Sequence, residues 1–420
     1  MGSDDQPRNL KAMLSEAKDT SELMVDLAYA ALFFGDAGMA DEVHELEERL
    51  SDLAHAMREV CVLAARSPRD AEEMSSVLHV LSAIERMGNA AVDIARIVIH
   101  QLGIPAALVA DLAAAEEISH RVRVRPDAAL AYRSLADVGL PTAVGMRVVA
   151  IRRGKQWMID PDGDDTLLPD DVLILRGAVG GIADLRVLAG APEWRPPGTD
   201  DDPAVITDLD RAVDVLVEMK NVSEVAIGLA YSALLFKDQS LAAEVSHLED
   251  RLDEMRERLE VWVLRAASEQ LEPSPLRGLL HLGGAAEELG DAAQQMVWLV
   301  EEGEEMHPVL AIAFGDTDEV IVRVPVSAGS RLDGRELTVT QLEMETGFYL
   351  LAIRRAGRYL YRPRGSARLS AGDELIASGP EEGRARLAEL GGYRVFEDDA
   401  TGEIALLPAP TSPAAGGAGR

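Results

Sequence analysis

The sequence predicts a mixed multidomain fold in which α-helical three-helix bundles alternate with small α+β domains, the whole unit being written twice. Three observations predict it. "DLAYAALFFGDAGMADEVHELEERLSDL" from Asp26 and "GLAYSALLFKDQSLAAEVSHLEDRLDEM" from Gly228 agree at 14 of 28 positions without a gap, at an offset of 202 residues. The offset persists into strand-like sequence, where "AIRRG" at Ala150 recurs as "AIRRAG" at Ala352, Pro161 maps on Pro363, and "DDVLILRG" at Asp170 answers "GDELIASG" at Gly372. Within each copy the apolar period changes from helical to two-residue. A constant spacing through both kinds of sequence marks a tandem duplication of one compound unit.

From about Asn9 to Gly103 the chain reads as three long helices. In the second, Val43, Leu46, Leu50, Leu53, Met57 and Val60 fall at steps of three and four and form one apolar stripe. Its duplicate repeats the stripe with Val245, Leu248, Leu252, Met255, Leu259 and Trp262. The third helix opens at "SPRD", with Ser67 as cap, Pro68 in the first turn and Asp70 at the capping-box position, and Ser274 and Pro275 repeat the cap and proline. Short turns between long helices favour antiparallel bundles. Tyr29 and Tyr231, at helical spacing from apolar neighbours, read as packing at the bundle seam.

After His120 the period is two. "RVRVRP" alternates Val122 and Val124 with Arg121, Arg123 and Arg125, "MRVVAIRRGKQWMIDP" reads as two strands around a tight turn at Gly154, and "DDVLILRG" as a further strand. "VIVRVPV", "FYLLAIRRAGRYLYRP" and "GDELIASG" are the counterparts. The expected boundaries are a first bundle over 9–104, a first α+β domain over 118–188, an exposed Pro/Gly/acid-rich linker over 189–204, a second bundle over 207–305, a second α+β domain over 318–396 and a disordered tail over 408–420.

Composition excludes several function classes. With 73 acidic against 41 basic side chains the net charge is −32, which repels nucleic acid and anionic membrane surfaces alike. The basic residues are 36 Arg and five Lys, a skew that fits both a salt-rich cytoplasm and a GC-rich genome. The single cysteine, Cys61, lies in a helical pattern and reads as a buried thiol in a reducing compartment. There is no signal-peptide pattern and no uninterrupted apolar run long enough to span a bilayer, so a cytoplasmic location is expected, with any membrane role exercised through a partner. The scattered His44, His55 and His79 have no zinc-protease spacing, and neither a nucleophile elbow nor a phosphate-binding loop is present, so an enzyme is not expected.

"LKAMLSEAKDTSELMVDLAYAALFFGD" with "LSAIERMGNAAVDIARIVI" resembles the PhoU family of three-helix bundles, and "VAIRRGKQWMIDPDGDDTLLPDDVLILRG" resembles the C-terminal regulatory domain of TrkA potassium-uptake proteins, also called RCK_C. The second copies resemble the same two families in the same order. The resemblance implies a non-enzymatic, cytosolic regulatory subunit that couples ligand or ionic state to gating of a potassium or other cation channel or transporter. It leaves as alternatives a metal-binding PhoU-like accessory protein of phosphate transport or signalling, and a free-standing nucleotide or ion sensor. TrkA proteins begin with a nucleotide-binding Rossmann domain. Here "GAVGG" at Gly177 to Gly181 has the wrong spacing and no following βα unit, so no NAD binding is expected.

Two sets of candidate site residues follow. PhoU proteins use an acid, three residues and an aspartate in metal clusters, since residues four apart share a helix face. Glu22 and Asp26 match in the first repeat and Glu287 and Asp291 in the second, while Asp26 becomes Gly228 and Asn89 stands where Asp291 would be expected. These four are the metal candidates for a divalent ion, and a solvated helix face is their plain alternative. Arg152 and Arg153, repeated as Arg354 and Arg355, end a strand before a turn, and alternation lets one of each pair face a given surface. Relatives of the TrkA-C domain bind cyclic di-adenylate across their mutual interface, which makes the arginines candidates for a cyclic dinucleotide. The alternative is a structural ion pair holding the hairpin.

The two α+β domains are expected to pair inside one chain, the 16-residue linker reaching roughly 50 Å when extended, with a homodimer between chains as the rival. Acidic "PDGDDTLLPDD" against "PRGSARLSAGD", with Arg364 and Arg368, would set unlike charges opposite each other.

Overall fold

Asn9, Asp36 and Ser67 each open a helix by accepting backbone N–H bonds on a side-chain oxygen, giving α1 (Leu10–Phe34), α2 (Ala37–Ala64) and α3 (Pro68–Ile99). Gly35, at φ 60°, ends α1 in the left-handed region. The computed structural model describes residues 9–113, 117–194, 207–268, 274–315, 317, 319–397 and 404–409. The helix α4 (Ala106–Ala113) leads to the first sheet: β1 (Glu117–Arg123), α5 (Leu135–Val138), α6 (Leu140–Val144), β2 (Met146–Arg153), β3 (Gln156–Ile159), β4 (Val172–Ala178) and α7 (Ile182–Leu188). The second copy follows with α8 (Asp208–Phe236), α9 (Gln239–Ala266), α10 (Ser274–Glu301) and α11 (Val309–Phe314). Its sheet is built from β5 (Glu319–Pro325), α12 (Leu337–Thr340), α13 (Leu342–Thr346), β6 (Tyr349–Arg355), β7 (Arg358–Tyr361), β8 (Glu374–Pro380) and α14 (Arg384–Gly391). A hairpin of β9 (Tyr393–Glu397) and β10 (Ile404–Pro408) ends the described chain.

The predicted stripes are buried, with one correction made at the same place in both copies. Val60 and Trp262 are half-exposed, and the stripe continues through Cys61 and Val263, 1% and 2% exposed. The step from Met57 and Leu259 is four residues rather than three, because a 3.6-residue turn drifts off a strict alternation by the end of a 28-residue helix. Ser67 caps α3 as expected. Ser274 does not repeat it: it lies inside α10 and its hydroxyl donates to the Leu102 carbonyl at 2.7 Å. That bond places the start of α10 at the end of α3, and His307 N donating to Ser76 Oγ at 3.1 Å places the end of α10 at the start of α3. The two bundles therefore pack antiparallel through α3 and α10, while α4 lies on α8 and α11 on α1, each repeat lending a short helix to the other.

Each sheet is antiparallel in the order β1-β4-β2-β3 and, in the second copy, β5-β8-β6-β7. A bulge falls between Val148 and Ala150 and again between Leu350 and Ala352, so even the irregularity is duplicated. β2 and β4 are central, and Val149 to Ile151 and Leu173 to Leu175 are buried without alternation. The predicted turn is at Gly154, φ 65°.

The expected linker is shorter at its start than the composition suggests. Ala189 is fully buried and its N–H closes α7 on Leu185, and Trp194 stands 5.9 Å from the His120 ring; residues 195–206 lie outside the described residues. The second α+β domain runs beyond its expected end at 396 into β9 and β10, so Pro408 belongs to a strand, and residues 410–420 of the expected disordered tail lie outside the described residues.

Two compact units divide the chain: Met1–Leu140 with Met146–Val320, and Pro141–Gly145 with Ile321–Arg420. The first holds both bundles and the first sheet. Inside the second, α6 and α13 meet reciprocally. A Cβ on Gly145 (φ 66°) would lie 3.0 Å from the Glu343 carbonyl oxygen, and one on Gly347 (φ 74°) 3.0 Å from that of Pro141. These are equivalent positions of the two repeats in mirrored roles.

Candidate functional site

Register decides which arginine does what. At the end of β2, Arg153 reaches across to Asp171 and donates Nε and Nη2 to its two carboxylate oxygens at 2.9 and 2.8 Å, with a further bond to the Thr166 carbonyl at 2.8 Å. Asp171 is 1% exposed and also accepts Leu168 N at 2.8 Å. In the second copy Arg355 donates to Asp373 at 2.7 and 2.7 Å and to the Arg368 carbonyl at 2.7 Å, and Asp373 accepts Ser370 N. Hydrogen bonding to the aspartate holds the pKa of each arginine above its ordinary value. These fork-to-fork pairs tie the hairpin to the next strand.

The other arginine of each pair faces away, as strand alternation requires. Arg152 lies over the Trp157 ring at 5.6 Å with Nη1 3.5 Å from Asp36, the cap of α2. Arg121, over Phe34 at 4.9 Å, approaches the same carboxylate at 3.9 Å. The first sheet is thereby seated on the α1–α2 elbow. Arg354 lies over Tyr359 at 6.0 Å and bonds Glu374 at 3.3 Å.

All four candidate metal carboxylates are engaged by cations. Glu22 accepts from Lys18 Nζ at 2.7 Å, Asp291 from Arg86 Nη2 at 2.7 Å, Glu287 pairs with Arg256, and Asp26 pairs with Arg176. Among the described residues no group of three or more His, Cys, Asp or Glu is placed to hold a metal ion.

Sequence reasoning missed the arrangement at the seam between α1 and α8. Lys18 is 1% exposed and sits 5.2 Å from the centroid of Tyr231, while its counterpart Lys220 sits 5.0 Å from that of Tyr29. Each lysine pairs with the glutamate four residues on, Lys220 with Glu224 at 2.6 Å. Burial by itself lowers the Lys18 pKa, but the carboxylates of Glu22, Asp19 and Glu319 together outweigh it and the ammonium form is favoured. Burial, reinforced by Glu224, pushes the Tyr29 hydroxyl far above its ordinary range. Arg176, projecting from β4, enters this seam between Asp26 of α1 and Glu224 of α8, 3.6 Å from the latter, beside a small cavity of about 30 Å³. One sheet is thus clasped by a carboxylate from each repeat. A signal for it stood in the sequence: Asp26 and Arg176 are replaced together, by Gly228 and Ser378, in the second copy.

The PhoU domain model matches residues 14–98 and 216–300, and the TrkA-C domain model matches residues 120–190 and 321–391. The chain carries a PhoU domain followed by a TrkA-C domain, twice. Both are regulatory folds, and they give the chain a non-catalytic regulatory or signalling role. Among solved structures, a PhoU crystal structure from Pseudomonas aeruginosa is similar at 14% identity and TM-score 0.37, over 69% of this chain and 91% of that one. A GsuK channel bound to NAD is similar at 15% identity and TM-score 0.17, over 66% of this chain and 53% of that one. A GsuK RCK domain gives 15% identity and TM-score 0.17, over 66% and 63%. No curated protein matches the chain. Among the described residues no helix is long and apolar enough to cross a membrane.

Proposed function

We propose that the protein is a PhoU-type accessory regulator of phosphate transport or signalling, acting as a protein–protein module whose TrkA-C domains set its state. The observation that carries this reading is the first compact unit, in which the two PhoU domains pack on each other through α3 and α10 and hold the first TrkA-C domain by Arg176 and Arg152. The reading rests on the paired bundles and needs no metal, since Glu22, Asp26, Glu287 and Asp291 are committed to ion pairs. Gating of a potassium or other cation channel is the second reading, favoured by the duplicated TrkA-C domain. It has less support from the arginines: Arg153 and Arg355 are spent on Asp171 and Asp373, which weakens the case for a cyclic dinucleotide there.

Affinity purification of the tagged chain from its own cells decides between them. Recovery of a phosphate-transport component, with phosphate uptake altered on deletion, is expected. Recovery of a cation channel or transporter whose ion flux changes on adding the protein would replace this reading with the second.

A further inference from the structure

We propose that β10 is a dimerisation strand, pairing antiparallel with β10 of a second copy of this chain. β9 and β10 form a two-stranded sheet, from Ile404 opposite Glu397 to Pro408 opposite Tyr393, with no third strand among the described residues. Such a ribbon is marginally stable alone in water, and its edge is a template for another strand. The side chains of β10 are apolar on both faces, Ile404 being 43% and Leu407 44% exposed, and Phe396 of β9 is 50% exposed. The first repeat has no hairpin at this place among its described residues, since its chain passes from α7 to Trp194.

Charge selects the edge and the occupant. β9 carries the exposed, charged Arg394, which disfavours pairing at its edge, whereas the chain holds no charged residue from Ile404 to Gly419. Two molecules of net charge −32 repel through most of their surfaces, and β10 is a stretch where they can meet without opposing like charges. A basic or acidic partner would find nothing there to read. Antiparallel self-pairing is also closed by its own twofold, giving a dimer and not a filament. Centred on Leu406, it sets Leu406 on Leu406, Ala405 on Leu407 and Ile404 on Pro408 of the second copy, a row of apolar cross-strand pairs.

Sedimentation equilibrium of the full chain over a wide concentration range tests this. The mass of the wild-type protein should rise from 45.2 kDa toward twice that value. Ile404→Glu with Leu407→Glu should weaken self-association at least ten-fold, and Val187→Glu, at an apolar residue 76% exposed elsewhere, should not. A wild-type protein that stays at 45.2 kDa leaves the strand to some other protein and overturns the proposal. So does a doubly substituted variant that associates as tightly as wild type. Should that variant misfold, amide exchange on the wild type decides: protection over Ile404–Leu407 must increase with concentration, and constant protection overturns the pairing.

Discussion

Arg86 and Glu288 occupy the same position in the two repeats, 202 residues apart, and bond each other, Nε to Oε1 at 2.8 Å. Equivalent positions that touch must lie next to the axis relating the two copies. In a symmetric dimer of single repeats the residue at this place would face itself, arginine on arginine or glutamate on glutamate. Joining the copies in one chain lets the two positions differ, and the guanidinium collects Asp291 at 2.7 Å and Gln295 at 3.2 Å as well.

Reversing one charge at this axis should therefore cost stability, and reversing both should restore part of it. Arg86→Glu sets like charges together and is expected to cost about 1 kcal/mol in urea unfolding, a modest value because both side chains are partly exposed. Arg86→Glu with Glu288→Arg should recover about half of it, the reversed pair re-forming across the seam while Asp291 is left facing an acidic side chain at position 86. No coupling between the two substitutions would mean that the pair does not hold the seam.

Asp171→Asn and Asp373→Asn should each cost about 2–3 kcal/mol, because each buried carboxylate anchors two guanidinium bonds and a backbone N–H. Unfolding monitored by circular dichroism checks this. If nucleotide binding by these arginines mattered more than hairpin structure, the aspartate variants would fold normally and bind cyclic di-adenylate more tightly.

His120 should contribute an acid-sensitive step. Burial, then the charge of Arg186, holds its pKa down to about 4 from an ordinary 6.5. Between those values the unfolded chain binds the extra proton and the folded chain does not, so stability rises with pH across the window and falls as pH drops from 6.5 to 4. The full effect is on the order of 3 kcal/mol. Thermal melts of wild type and His120→Gln at pH 7 and pH 4.5 should show a smaller acid loss in the variant, and equal losses would dismiss the histidine.

Gly347→Ala should cost more than Gly357→Ala. Both glycines have positive φ, 74° and 78°, so both substitutions strain the backbone by about 1 kcal/mol. At Gly347 the added methyl also lies 2.9 Å from Pro380 Cγ and 3.0 Å from the Pro141 carbonyl, while at Gly357 nothing lies within 4 Å. Faster amide exchange over Pro141–Gly145 in the first variant alone is the expected signature of a weakened α6–α13 contact.

The bundles and sheets were legible because duplication supplied a second reading of each pattern, and a stripe or an alternation found twice at one spacing is hard to mistake. The hairpin of β9 and β10 was not, since it is written in the second copy alone and "IALLP" is a short apolar run without alternation. The arginine pairs were visible as candidates, but choosing Asp171 for Arg153 depends on which strands neighbour each other, and β4 and β2 are joined across intervening chain. The acid-rich helix faces read as metal candidates because the cations set against them, Lys18, Arg86, Arg176 and Arg256, are with the exception of Lys18 distant in sequence.

The seam formed by α3 and α10 joins two stretches of one polypeptide. Its assembly is a unimolecular event, governed by the effective concentration that the connecting chain imposes and not by how many molecules a cell contains. Dilution that would dismantle a dimer of single repeats leaves this contact intact. Expression level then sets how much paired PhoU scaffold exists, never whether a given copy is paired.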